Sequence, residues 1–183
     1  MKHNYKTLVL VLGTVLGFLG TNNLAASSPT VPRSVEEHAQ QITVLLSKDR
    51  LFSSSRNKSF LGSGAIIGKT GNTYYILTAE HTIPNLSVEE YQVTTYDKKQ
   101  HKIDKILKAP GELDLAVLSF TSKENYKVAS IGDSNQVESG SEIYLSGWRG
   151  LPASGEEQQY LVNAGTVANP LNILLGEHLL VLA

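Results

Sequence analysis

The chain reads as an all-β protein, a small closed barrel followed by further strands, and three observations predict this. Short segments rich in β-branched and aromatic residues recur along it, each bounded by turn-forming residues. Helical signal is scarce, confined to one turn at Val35–Gln41 and one after Thr78. The composition, 41% hydrophobic, 18% charged and 7% aromatic, is that of an ordinary globular domain and excludes a mainly disordered, collagen-like or coiled-coil chain. At 183 residues the length suits one domain or two small ones.

The N-terminus is set aside first. Lys2 and Lys6 precede an apolar stretch, Leu8 to Gly20, and small residues follow it through Ser27. This order reads as a secretory signal over residues 1–27, with cleavage near Ser27 and cuts at Ala25 or Ala26 equally allowed. The apolar stretch is too short to span about 30 Å of hydrocarbon, so the expectation is a secreted or periplasmic protein with no membrane association after signal removal. Removing residues 1–27 leaves 156 residues carrying 14 basic and 17 acidic groups, a net −3. That charge argues against a nucleic-acid partner, which normally requires a basic face. Cysteine is absent, which excludes disulfides, thiolate metal sites and a cysteine nucleophile. A core of about this size can hold a fold without them.

Residues 28–40, with Pro29 and Pro32, form a lead-in. Strands are expected at Ile42–Leu46, Ser59–Gly68, Asn72–Ala79, Tyr91–Asp97, Lys102–Ala109 and Asp114–Phe120, with turns at Gly71-Asn72 and Lys98-Lys99-Gln100. Six strands suffice for a first barrel over residues 41–121. A polar connection, residues 122–140, contains the turn-former Ile131-Gly132-Asp133-Ser134-Asn135. Residues 141–183 offer three more strands, Glu142–Gly147, Gln158–Asn169 and Glu177–Ala183. The last ends in an apolar run without a polar tail, so its open edge is expected to favour oligomers or aggregation.

The sharpest chemical signal is Tyr74-Tyr75-Ile76-Leu77-Thr78-Ala79-Glu80-His81, a strand followed at once by a histidine that would sit on a barrel rim. Downstream, Asp114 opens the apolar run Leu115–Phe120. A carboxylate partly buried at a barrel end needs a partner, and a histidine ring N–H is a suitable one.

With Gly62-Ser63-Gly64 before Ala65-Ile66-Ile67, Leu77-Thr78-Ala79-Glu80-His81, Asp114-Leu115-Ala116-Val117-Leu118, Ile131-Gly132-Asp133-Ser134 and Leu145-Ser146-Gly147 in this order, the chain resembles the trypsin-like, chymotrypsin-fold serine proteases, bacterial exported forms especially. The resemblance runs from about Gln40 to Ala183. It implies a chymotrypsin-like double β-barrel, the first barrel complete and the second truncated, acting on peptide or protein substrates without a cofactor. It implies His81 as general base and Asp114 as the residue that orients it. The family's Gly-x-Ser-Gly-Gly loop, which holds the nucleophile and the oxyanion hole, does not occur, and no serine follows Ser154. As given, the polypeptide is expected to be inactive, because losing a triad serine costs on the order of 10⁶ in turnover.

Other features carry less. Ser63 and Ser146 stand at strand ends rather than on a sharp elbow. Glu80 is a solvated turn residue or a carboxylate that perturbs His81. His3, His38, His81, His101 and His178 lack metal-ligand spacing. Gly62-Ser63-Gly64 is no phosphate loop. Lys98, Lys99, Lys102, Lys105 and Lys108 read as a solvated edge, and Trp148 as packing near the interbarrel loop. Two competing readings stand beside the protease: a non-catalytic exported module that binds peptides or a partner protein, and an unrelated small β-barrel, which leaves the ordered histidine and aspartate unexplained.

Overall fold

A computed structural model describes residues 7–9, 30–48, 60–83, 87–111, 113–133, 136–149, 158–168 and 181–182, with 7–9 and 181–182 known by their strand pairing alone. The fold opens with strand β1 (Thr7–Val9) and helix α1 (Arg33–Ile42). The helix is longer than the turn expected at Val35–Gln41. Pro32 precedes its first turn, and Val35, Ala39 and Ile42, spaced by four and three residues, give it one apolar face. Arg33 and Glu37 pair across the exposed side.

A seven-stranded antiparallel sheet follows. Its strands are β2 (Thr43–Lys48), β3 (Phe60–Thr70), β4 (Thr73–Thr78), β5 (Tyr91–Thr94), β6 (Gln100–Lys102), β7 (Lys105–Lys108) and β8 (Ala116–Thr121), in spatial order β6-β5-β2-β3-β4-β8-β7. The expected strand Lys102–Ala109 is therefore two strands, for a physical reason. β6 pairs with β5 and β7 pairs with β8, so the chain bends at Ile103–Asp104 and hands its hydrogen bonds from one end of the sheet to the other. Asp104 N–H donates to the Ser119 carbonyl at 2.8 Å and the Thr121 hydroxyl to Asp104 at 2.8 Å, which curls the sheet into a barrel.

Alternation fills the interior. Val44, Leu46, Ile66, Tyr74, Ile76, Val93, Leu118 and Phe120 point inward and are almost fully buried. Gly64 is required there, since a Cβ would lie 2.5 Å from Ile76 Cγ2 and 3.1 Å from the Leu77 carbonyl. Ala65, on the opposite face of β3, packs outward with Ala39, Ile42, Ala129 and Tyr144. This second cluster joins α1 and the barrel to the second sheet.

That sheet holds β9 (Glu142–Arg149), β10 (Gln159–Thr166) and β11 (Val181–Leu182), in order β10-β9-β1-β11. β1 runs parallel to β9, with Leu8 opposite Tyr144, and antiparallel to β11, with Leu8 opposite Leu182. Part of the segment read as a leader is thus a strand here, a pairing open to any apolar extended segment beside a free edge. The expected cleavage region near Ser27 and most of Glu177–Ala183 lie outside the described residues. The architecture of the described residues, mostly strands with one α-helix and a curled first sheet, fits the chymotrypsin-like β-barrel fold.

Candidate functional site

The rim of the first barrel builds the site. At the end of β4 the Thr78 hydroxyl donates to the Ser63 carbonyl at 2.9 Å, fixing the strand end. A 3₁₀ turn, Glu80–Thr82, follows, with Thr82 N–H on the Ala79 carbonyl at 3.2 Å and Ile83 N–H on the Glu80 carbonyl at 2.8 Å. Ile83 is fully buried and pins the turn to the core. His81 is left on the rim with its side chain 52% exposed.

Asp114 arrives from the loop between β7 and β8. Ala109 N–H donates to the Leu115 carbonyl and Leu115 N–H to the Leu113 carbonyl, both at 2.8 Å, and Gly111 takes φ +77. These bonds move the start of β8 to Ala116, so Asp114 precedes the strand instead of opening it. Its side chain is 54% exposed, more open than the partly buried position expected, because it must reach His81 on the rim.

The structure brings these two residues together twice. His81 backbone N–H donates to Asp114 Oδ1 at 2.8 Å, and His81 Nδ1 lies 2.5 Å from Asp114 Oδ2. An ionised carboxylate only accepts, so Nδ1 carries a ring proton and Nε2 is the nitrogen left for proton transfer. Partial burial pulls the Asp114 carboxyl upward, but the His81 backbone N–H and ring outweigh it and hold the group below its ordinary value. The arrangement can accept a proton at Nε2 while Asp114 stabilises the resulting imidazolium.

Glu80 is a partly solvated turn residue, but it is not free beside His81. Lys108 Nζ donates to its Oε1 at 2.7 Å, with both side chains about two-thirds buried. Sequence reasoning placed Lys108 in a solvated stripe; only the return of β7 toward the rim reveals its partner. Lys99 also departs from that stripe, pairing with Glu124 and Asp97.

Ser63 and Ser146 both take part in contacts between the barrel and the second sheet. Ser63 Oγ accepts the Trp148 backbone N–H at 2.7 Å, and Ser146 Oγ lies 2.8 Å from Thr43 Oγ1 in the buried contact between barrel and second sheet. Burial pushes the nearby Tyr160 hydroxyl up to about 12, with Ser146 and Thr43 drawing it the other way. Trp148 stacks edge-on against Tyr160 at 5.6 Å.

A second polar cluster closes the opposite end of the barrel. His101 Nε2 is 2.9 Å from the Tyr126 hydroxyl, and the Thr95 hydroxyl donates to Asp97 at 2.6 Å and lies 3.2 Å from the Tyr126 hydroxyl. Burial lowers the His101 pKa and raises that of Tyr126.

A curled β-barrel bearing an aspartate-oriented histidine on its rim defines a serine-protease-like domain. Residues 62–175 match the trypsin-like peptidase domain family, and the chain belongs to that family. It is also similar to a "Serine protease HtrA-like" protein of Staphylococcus epidermidis, 28% identical over 132 residues, covering 69% of this chain and 22% of the relative. One of the same name from Staphylococcus aureus is 34% identical over 88 residues, covering 48% of this chain and 11% of the relative. The chain thus spans a quarter or less of these relatives' length. Among the described residues, no helix is long and apolar enough to cross a membrane.

Proposed function

We propose that this chain carries the acid–base half of an exported serine endopeptidase site, with His81 as general base and Asp114 as its orienter. The double contact between them carries the reading: one carboxylate fixes both the backbone and the ring of a rim histidine. In the reaction, His81 Nε2 takes the proton of a serine hydroxyl while that oxygen attacks the peptide carbonyl. The imidazolium then protonates the departing amine, leaving an acyl-enzyme, and water attacks this ester with His81 again as base. The substrate is a peptide or protein, no cofactor is needed, and the export signal of residues 1–27 directs the protein to a secreted or periplasmic location.

The nucleophile belongs on a Gly-x-Ser-Gly-Gly loop, a motif these 183 residues do not contain. By themselves they are therefore proposed to be inactive, with hydrolysis confined to a form that supplies the loop. The same observation favours one second reading, a non-catalytic exported binding module on the protease scaffold.

The test starts with the intact mass of the protein from its own cells, followed by peptide hydrolysis by the natural form with and without His81→Ala. A form several kilodaltons larger than residues 28–183 that hydrolyses peptides and loses activity on His81→Ala supports the protease. A mass matching residues 28–183 with no hydrolysis leaves the binding module. Hydrolysis that survives His81→Ala overturns the assignment of the base.

A further inference from the structure

We infer that Glu80 and Lys108 are a positioning pair for His81, a second strut that sets the distance between the histidine turn and the aspartate loop. The inference deepens the reading of His81 as the base and rests on it for catalytic meaning. The argument is topological. Glu80 immediately precedes His81 in the 3₁₀ turn. Lys108 is the last residue of β7, opposite Ala116 on β8, and the loop carrying Asp114 leaves and rejoins the sheet at this rung. The ion pair, Nζ to Oε1 at 2.7 Å, therefore spans the same gap that His81 and Asp114 span.

The two bridges differ in exposure. His81 and Asp114 are half exposed, where water competes for a polar contact and a single one is worth little. Glu80 and Lys108 are 32% and 28% exposed, and a partly desolvated pair resists opening because each charge left alone would be poorly solvated. The turn has further fixings: the Thr78–Ser63 bond on the β3–β4 side, its own two 3₁₀ bonds, and Ile83, which is buried in the shared barrel core with Ile76 and Leu118. Among the described polar side-chain contacts, Asp114 and Lys108 are the ones that reach the turn from the β7–β8 side. The pair also governs charge: Glu80 places a carboxylate one residue from the imidazole, and Lys108 neutralises it. The charged groups in these contacts around His81 are Asp114, Glu80 and Lys108.

The test is made in the full chain by NMR. Two signals report the geometry: exchange of the His81 backbone amide, which donates to Asp114 Oδ1, and the proton on His81 Nδ1. Lys108→Met is expected to speed exchange at His81 about tenfold or more and to shift or broaden the Nδ1 proton, while core amides such as Ile76 and Leu118 keep their protection. Lys108→Arg, which keeps the charge, should stay within about twofold of the parent. Lys48→Met, which breaks the comparably buried pair between Lys48 at the end of β2 and Glu90, should leave both His81 signals in place. If Lys108→Met fails to fold, Glu80→Gln carries the same expectation.

Unchanged His81 signals in either variant overturn the inference, and so does a uniform loss of protection across the barrel, which marks a merely structural pair. In a hydrolytic natural form, kcat should fall about tenfold with KM within about twofold. Faster His81 exchange without a fall in kcat would overturn the pair's positioning role in catalysis. His81→Ala tests the reading of His81 as the base separately, so the two can fail independently.

Discussion

Tyr74→Phe is the most informative single change to the scaffold, because it deletes one oxygen from a fully buried side chain. The Tyr74 hydroxyl donates to the Glu124 carbonyl at 2.7 Å and accepts the Tyr126 N–H at 3.1 Å, tying the start of the interbarrel connection to the barrel. The ring keeps its other contacts in the variant: stacking on Phe120 at 5.2 Å, the edge of Tyr126 at 5.3 Å, and Lys69 Nζ 4.9 Å above it. What remains is a buried N–H and a carbonyl without their partner. Each unsatisfied buried group costs about 1–3 kcal/mol, and the Glu124 carbonyl, only partly buried, recovers some of this from water. The expected loss is about 2–3 kcal/mol, or about 4–12 °C in Tm for a chain of this size. Thermal and urea melts of the full chain measure it, with Tyr75→Phe, on the opposite face of β4, as the control expected to stay within about 0.5 kcal/mol. If Tyr74→Phe matches that control, the buried bridge has no energetic role and the reasoning fails.

Three further outcomes are expected. Asp114→Asn removes the acceptor that keeps the proton on His81 Nδ1, so a hydrolytic natural form should lose on the order of 10⁴ in turnover; a loss under tenfold would show that another group fixes the tautomer. Burial lowers the His101 pKa, so the unfolded chain binds protons more readily than the folded one. Stability is then full above about pH 6.5 and declines as pH falls through that value toward the folded pKa. Urea melts from pH 8 to 5 should show this slope, shallower in His101→Gln and retained in part by His38, which burial and Lys127 also lower; stability that rises on acidification contradicts it. Thr43→Val and Ser146→Ala each strand one buried hydroxyl of the interbarrel pair and should cost about 1–2 kcal/mol apiece, the double variant costing less than their sum; strict additivity in chemical melts would mean the two hydroxyls do not interact.

Most of the first barrel was legible because its residues alternate. Tyr74-Tyr75-Ile76-Leu77 and Ala116-Val117-Leu118-Ser119-Phe120 carry the β-branched and aromatic bias of half-buried strands, and the turn at Gly71-Asn72 falls as expected, with Gly71 at φ +59. The bend at Ile103–Asp104 was not legible, since nothing in Lys102–Ala109 breaks the strand pattern. It exists because two ends of one sheet must share that segment. Likewise, Val35–Gln41 announced a turn, whereas packing against Ala65 and Tyr144 supports a helix of ten residues.

The order and identity of His81 and Asp114, and the family to which the chain belongs, follow from the linear sequence, because strand-end residues keep their place relative to alternating neighbours. That Lys108 takes up Glu80 beside the histidine, and how Asp114 meets both its backbone and its ring, was decided by the tertiary structure. Lys108 lies 28 residues from Glu80 and Asp114 lies 33 from His81, and no local pattern encodes contacts at that separation. Barrel closure brings β7 and its loop to the rim beside β4, and solvation at the rim then selects the partners: a half-exposed carboxylate on the histidine, and a more sheltered ion pair behind it.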